Sequence, residues 1–117
     1  MYRYVARANI DRYLSVLYSA DITNYERQTV TKLLLGELDK LRHDPTQLEF
    51  AEKRAANGRE RVNHARRLCA SYALGTTERE ESDRLLADVE SLHILLDAFM
   101  AACTNSRGIL ARRFDRR

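Results

Sequence analysis

Large apolar side chains recur at alternating gaps of four and three residues between residues 85 and 103. The positions are Leu85, Val89, Leu92, Leu96, Phe99 and Cys103. Because an α-helix has about 3.6 residues per turn, this spacing puts these side chains on one side of a single helix. No other segment carries so wide an apolar face, so we expect the rest of the chain to cover it.

A second periodic segment, between residues 48 and 72, carries small side chains where the first carries large ones. Its repeating positions are Leu48, Ala51, Ala55, Gly58, Val62, Ala65, Cys69 and Tyr72. The repeat keeps its phase through Gly58, which predicts one continuous helix from about residue 45 to residue 74. Small groups on one helix allow a close approach to large groups on its neighbour. The two segments are therefore predicted to pair as an antiparallel hairpin, with the turn at Gly75.

Two shorter helices are predicted ahead of this hairpin. The apolar stripe of the first is Ile10, Tyr13, Leu14 and Leu17, extended backwards by Val5 and Ala6, and that of the second is Val30, Leu33, Leu34, Leu38 and Leu41. Thr23 followed by Glu26 forms a capping box that begins the second helix at about residue 24, and Asp44 before Pro45 marks the cap of the third. The predicted fold class is all-α: an antiparallel bundle of about four helices, in which a short hairpin of residues 3–43 packs on a long hairpin of residues 45–103.

The last helix is predicted to begin at a second capping box, Thr77 with Glu80, and to end between Asn105 and Gly108. Residues 1–106 then form one bundle domain, and residues 107–117 form a basic tail with five arginines against one aspartate. The predicted third helix is longer than any single partner within the chain. Because a second copy is the simplest cover for its surplus apolar length, a homodimer or higher oligomer is expected.

Composition narrows the class of protein without indicating an activity. The chain has 117 residues, of which 44% are hydrophobic and 32% charged, with one Pro and four Gly; this is typical of one helical domain with few loops. The first ten residues lack the apolar core of a signal peptide, and the longest apolar stretch, Leu92 to Cys103, is too short to span a bilayer. We therefore expect a cytoplasmic protein with two reduced cysteines and no membrane contact.

Residues of the first two predicted helices resemble a helical-hairpin segment that recurs in small uncharacterised bacterial proteins. These residues are Asn9, Ile10, Tyr13, Leu17, Glu26, Arg27, Leu34, Leu35, Glu37, Lys40 and Leu41. The resemblance covers about a third of the chain. It implies a bacterial origin and a helix-turn-helix shape, and it carries over no activity and no functional residue.

Metal-binding and catalytic constellations are not indicated. The three histidines lack the spacing of zinc ligands, and Glu90 with His93 supplies the Glu-x-x-His spacing of diiron bundles only once. In the predicted hairpin, Cys69 and Cys103 lie roughly 30 Å apart, whereas a disulfide needs Cα atoms within about 7 Å. We expect no metal, no cofactor, no disulfide and no enzymatic activity.

His64 and Arg67 resemble the motif of histidine phosphotransfer domains, which are helical bundles with a helix-borne histidine. In that motif a basic residue stands three positions after the histidine, and Arg67 has the charge to hold a phosphorylated imidazole. The sequence departs from the motif at Leu68, where a small residue is usual, and at Arg66, where an apolar residue is usual. The resemblance implies a signalling domain that uses His64.

Basic residues of the predicted third helix and of the tail are candidate contacts for nucleic acid. They are Lys53, Arg54, Arg59, Arg61, Arg66 and Arg67 in the helix, and Arg107, Arg112, Arg113, Arg116 and Arg117 in the tail. Such residues bind phosphates without reading base sequence. However, residues 78–97 hold seven acids against two arginines, so the fourth helix is expected to neutralise much of the basic helix beside it.

Together these observations favour a non-enzymatic helical module for protein interaction or oligomerisation, with regulation as one use. Tyr2, Tyr4, Tyr18 and the basic tail are the candidate contact groups, since tyrosine combines an apolar ring with a polar hydroxyl. Two alternatives stay open. One is nucleic-acid binding through the third helix and the tail, and the other is phosphotransfer through His64.

Overall fold

The protein is represented by a computed structural model that describes residues 2–19 and 21–115, with side chains up to residue 108. Four α-helices follow one another: α1 (Tyr2–Leu17), α2 (Asn24–Leu41), α3 (Leu48–Ala70) and α4 (Thr77–Asp115). A short 3-10 helix, Pro45–Gln47, comes directly before α3. The described residues form no strand, and the predicted all-α bundle of four helices is confirmed.

The chain divides into two compact units. The first comprises Met1–Gln47 with Ala102–Arg117, and the second comprises Leu48–Ala101. The single domain predicted for residues 1–106, with a separate tail at 107–117, stays a prediction.

In the first unit, α1 and α2 pack as a hairpin. Near the beginning of α2, Arg27 donates a hydrogen bond from its guanidinium to the carbonyl oxygen of Leu17 at the end of α1, at 3.1 Å. The core of this unit is almost fully buried at Ile10, Leu17, Leu34, Leu41 and Cys103. The thiol of Cys103 donates to the carbonyl oxygen of Leu41 at 3.7 Å, so the last part of α4 packs at the end of α2.

One position of the predicted α2 stripe is wrong. Leu33 was expected in the core, but it is 48% exposed. The buried positions of α2 are Leu34, Leu38 and Leu41. Leu33 precedes Leu34 by one residue and therefore lies about 100° around the helix from it, outside the face that the core covers.

In the second unit, α3 and the first part of α4 form the predicted antiparallel hairpin. The rings of Phe50 and Phe99 pack edge to face with their centroids 6.5 Å apart. Further along α3, Arg66 lies 3.5 Å from the carboxylate of Glu90. A residue later in α3 thus contacts a residue earlier in α4, as in an antiparallel pair. The helix is continuous through Gly58, which is buried in its middle, as its unbroken repeat predicts.

The end of α3 lies earlier than predicted. The helix stops at Ala70 rather than residue 74, and Tyr72 is exposed instead of continuing the core stripe. Two backbone bonds explain the stop: the amide of Ser71 donates to the carbonyl oxygen of Leu68 at 3.1 Å, and the amide of Tyr72 donates to the carbonyl oxygen of Cys69 at 3.2 Å. Such bonds over three residues tighten a last turn, and Gly75 then reverses the chain with φ 84°.

The predicted capping box at Thr77 is also wrong by one residue, whereas the cap at Thr23 is confirmed by its bond from the amide of Glu26, at 3.1 Å. The cap of α4 is Thr76, whose hydroxyl oxygen accepts from the amide of Arg79 at 3.2 Å. The same hydroxyl donates to the carbonyl oxygen of Ala73 at 2.8 Å. Thr76 therefore closes the turn and begins the helix.

We expect Thr76→Ala to lower the free energy of unfolding by about 1 kcal/mol, because an unreplaced cap leaves helix amides without partners. Thr77→Ala is the matched control and should change it by less than about 0.5 kcal/mol, as exposed surface substitutions do. Urea denaturation followed by circular dichroism measures both. Equal losses in the two variants would contradict the assignment of the cap to Thr76.

Helix α4 does not end at the predicted break. It continues through Asn105 and Gly108 to Asp115, so residues 107–115, which were predicted as a tail beyond the last helix, are helical. An isolated glycine costs a helix only about 1 kcal/mol relative to alanine. Among the described residues only Gly75 has a positive φ, so Gly108 does not take the left-handed conformation that would cap the helix.

Candidate interaction surface

Helix α1 carries two apolar stripes. Its buried stripe is Ala6, Ile10, Leu14 and Leu17. Its second stripe, here called the α1 stripe, consists of Tyr2, Val5, Asn9, Tyr13 and Val16. At about 100° per residue, these five side chains fall within roughly 80° of one another, and the centre of the stripe lies about 100° around the helix from that of the buried stripe. The α1 stripe is thus a coherent face beside the core.

Much of the α1 stripe is accessible to solvent. Tyr2, Val5 and Val16 are 59%, 53% and 37% exposed. Asn9 and Tyr13 are half-buried. Single exposed apolar residues are ordinary on a protein surface, but several on one helix face are typical of an interaction site. None of the five is charged.

The three tyrosines predicted as contact groups differ in their exposure and in the face of α1 on which they lie. Tyr2 belongs to the α1 stripe, whereas Tyr4, although 77% exposed, lies two residues further and so nearly on the opposite side of α1. Tyr18 is half-buried. Val5 was predicted to extend the buried stripe, but it is 53% exposed, because it precedes the buried Ala6 by one residue and so lies about 100° around the helix from it. Sequence reasoning missed Asn9 and Val16, although the successive gaps of three, four and seven residues from Tyr2 to Val16 mark a helix face.

Arginines flank the aromatic rings of the α1 stripe. The guanidinium of Arg3 lies 5.9 Å from the centroid of the Tyr2 ring, and that of Arg12 lies 5.5 Å from the centroid of the Tyr13 ring. Cation–π contacts of this kind restrict how the rings turn. The stripe therefore presents partly ordered aromatic groups.

A polar cluster between α2 and α3 holds α1 in place. The Arg3 guanidinium lies 2.8 Å from the carboxylate of Asp44. The same carboxylate accepts hydrogen bonds from the amide and the hydroxyl of Thr46, at 3.0 and 2.6 Å. Although burial opposes ionisation of Asp44, the Thr46 hydrogen bonds and the Arg3 charge outweigh it and lower its pKa. Asp44 is therefore both the predicted cap before α3 and an anchor for α1.

Gln47 extends this cluster into the interior. Its side chain is buried, and its carbonyl oxygen accepts a hydrogen bond from Nε of Arg7 at 2.5 Å. Its amide group lies 3.2 Å from the hydroxyl of Thr46. Arg3 and Arg7 are one turn apart on α1, so the two bonds fix the rotation of that helix. The α1 stripe is consequently held in a defined direction.

The basic candidates on α3 do not form one face. At about 100° per residue, Arg59 and Arg66 lie on one flank of the helix, Arg54 and Arg61 lie on the other, and Lys53 and Arg67 point away from the core. Arg66 lies 3.5 Å from Glu90, as the predicted charge balance between α3 and α4 requires. Arg54 stacks 4.0 Å from the centroid of the Phe50 ring.

The remaining nucleic-acid candidates lie in the last part of the chain. Arg107 is exposed on α4. Arg112 and Arg113 fall in the part of α4 whose side chains are not described, and Arg116 and Arg117 lie outside the described residues. Contact of the whole basic set with nucleic acid stays a prediction.

His64 and Arg67 lie one turn apart and are both exposed. Leu68, which departs from the phosphotransfer motif, is half-buried beside them. The imidazole of His64 is thus accessible to solvent, and the bulky side chain of Leu68 lies next to it. Phosphotransfer through His64 stays a prediction.

The two cysteines are buried and free. Burial is the main cause that raises the pKa of both thiols above the usual value, and the carboxylate of Asp83 adds to it at Cys69. A thiol is nucleophilic only as the thiolate. Both cysteines therefore behave as small core side chains.

His93 forms the only described ion pair that involves a histidine, with its Nε2 atom 3.2 Å from the carboxylate of Asp97. The described residues contain no group of three or more side chains placed to hold a metal ion. Within the same residues, every helix is too short or too polar to cross a bilayer.

Comparison with protein-family models, with curated protein sequences and with solved structures finds no match to this chain. Function therefore has to be argued from the residues. Cytoplasmic location, bacterial origin and the lack of enzymatic activity stay predictions.

Proposed function

We propose that this chain is a non-enzymatic helical module that binds protein partners, oligomerisation included, through the α1 stripe. The observation that carries the proposal is the exposure of Tyr2, Val5 and Val16 on one face of a helix that the Asp44 cluster holds in place. Tyrosine and aliphatic side chains on a rigid helix lose little conformational entropy on binding. Such groups are typical anchors of helical interfaces.

We expect Val5→Glu to abolish partner binding, because a buried carboxylate without a partner opposes association. Ile94→Glu is the matched control, since Ile94 is a comparably exposed aliphatic residue on α4, outside the α1 stripe. The tagged full chain captures partners from nuclease-treated extract of its source cells. A protein retained by wild type and Ile94→Glu but lost with Val5→Glu is the expected result.

Three other outcomes would overturn the proposal. Equal capture by both variants would place the interface elsewhere. Material that is captured from untreated extract but not from nuclease-treated extract would favour the nucleic-acid alternative. Recovery of a receiver domain that depends on His64 would favour phosphotransfer.

A further inference from the structure

We infer that the α1 stripe binds the α1 stripe of a second copy of this chain, with the two helices antiparallel and centred on Asn9. The inference rests on the proposed function and names its partner. It starts from the spacing of the five positions, which are 2, 5, 9, 13 and 16. The gaps of three, four, four and three residues read the same in both directions, as a two-fold symmetric pairing requires.

The antiparallel arrangement gives an interface whose apolar layers all have the same composition. In the centred pairing, two residues lie opposite each other when their numbers add up to 18. Tyr2 therefore packs against Val16 of the second copy, and Val5 packs against Tyr13 of the second copy. Every apolar layer then joins one aromatic and one aliphatic side chain. A parallel arrangement would instead stack Tyr on Tyr and Val on Val, and layers of unequal thickness pack poorly between straight helices.

Asn9 favours the register in which the two helices are centred on residue 9. In the centred pairing, each Asn9 lies opposite its own copy, and an amide group carries both a donor and an acceptor, so the two side chains bond reciprocally. A shift of the register places Asn9 against Val or Tyr and buries its amide without a partner. Polar residues at single interface positions set the register of paired helices in this way.

The size of the interface sets its strength. The α1 stripe extends about 21 Å along the helix, at 1.5 Å per residue, and one helix pair belongs at the small end of specific interfaces, below about 1,200 Å². We therefore expect a dissociation constant on the order of tens of micromolar.

Sedimentation equilibrium of the full chain tests the association. Wild type and Ile94→Glu are expected to dimerise equally, and Val5→Glu to raise the dissociation constant by at least about tenfold. Circular dichroism checks that each variant is folded. A wild-type chain that stays monomeric up to roughly 500 µM, far above the expected constant, would overturn the inference, and so would a dimer that Val5→Glu leaves intact.

Cysteine cross-linking tests the orientation and the register. Under mild oxidation, Asn9→Cys should form a covalent dimer by itself, because the position meets its own copy. Val5→Cys and Tyr13→Cys should each stay monomeric alone and cross-link only when mixed. Wild type, whose two cysteines are buried, is the control. A Val5→Cys chain that cross-links with itself would show a parallel pair and overturn the antiparallel geometry.

The two proposals fail separately. A monomeric chain that still loses a different protein partner with Val5→Glu would overturn the second copy as the occupant and leave the α1 stripe as an interaction site. A dimer that Val5→Glu abolishes, with nothing else captured, supports both.

Discussion

Leu96→Ala is expected to lower the free energy of unfolding by about 3 kcal/mol, which is a large part of the roughly 5–15 kcal/mol that stabilises a domain of this size. Leu96 lies on α4 in the second unit and is fully buried. Truncation removes its apolar contacts and leaves a cavity that its neighbours fill only in part. Urea denaturation monitored by circular dichroism measures the loss.

Ile94 provides the comparison within the same helix. It lies two residues before Leu96 and is 68% exposed. We expect Ile94→Ala to change the free energy of unfolding by less than about 0.5 kcal/mol, since an exposed side chain gains little from folding. Similar losses in the two variants would mean that α4 does not bury the face described.

Asp44→Ala is expected to lower the free energy of unfolding at neutral pH by about 1–2 kcal/mol, since it removes a helix cap and an ion pair that anchors α1. Asp39→Ala is the matched control, because Asp39 also pairs with an arginine, Arg42 at 3.3 Å, but is 70% exposed. Its loss should stay below about 0.5 kcal/mol. Thermal or urea unfolding distinguishes the two variants.

The effect of Asp44→Ala is expected to depend on pH. The pKa of Asp44 is lower in the folded protein than its usual value of 3.8. Its ionised form therefore stabilises the fold fully above the pKa of the unfolded chain, and this stabilisation is lost as the pH falls through the folded pKa. The gap between wild type and Asp44→Ala should narrow below about pH 4. A gap that widens in acid would contradict the pairing of Asp44 with Arg3 and Thr46.

Several features of the fold follow from local sequence. The repeats of α3 and α4 keep their phase over many turns, so the antiparallel hairpin and its small-against-large packing were predictable. Thr23 was predictable as a cap because its hydroxyl needs only a neighbouring amide three residues ahead. The cap of α4 was not, since Thr76 and Thr77 are adjacent and chemically identical. Their roles depend on the backbone conformation of the turn after α3.

The candidate surface was predictable only in part. Tyr2 was recognised by its residue type, whereas Val5 was assigned to the core and Val16 was not recognised, because a valine on a helix is as suitable for a core as for an interface. The Asp44 cluster was recognised only as a helix cap. Arg3 and Arg7 lie about forty residues before it in the sequence, and no local pattern relates positions so far apart.

The sequence by itself determined the helical fold class, the approximate extent of the helices and most of the buried positions of each helix, because periodic burial is a local property of the chain. Only the tertiary structure decided that Val5, which its spacing had assigned to the buried stripe of α1, is exposed. The contacts of Arg3 with Asp44 and of Arg7 with Gln47 were likewise visible only there, because they join residues about forty positions apart. The tertiary structure also decided that α4 continues beyond Gly108, since a single glycine weakens a helix less than a sequence pattern suggests.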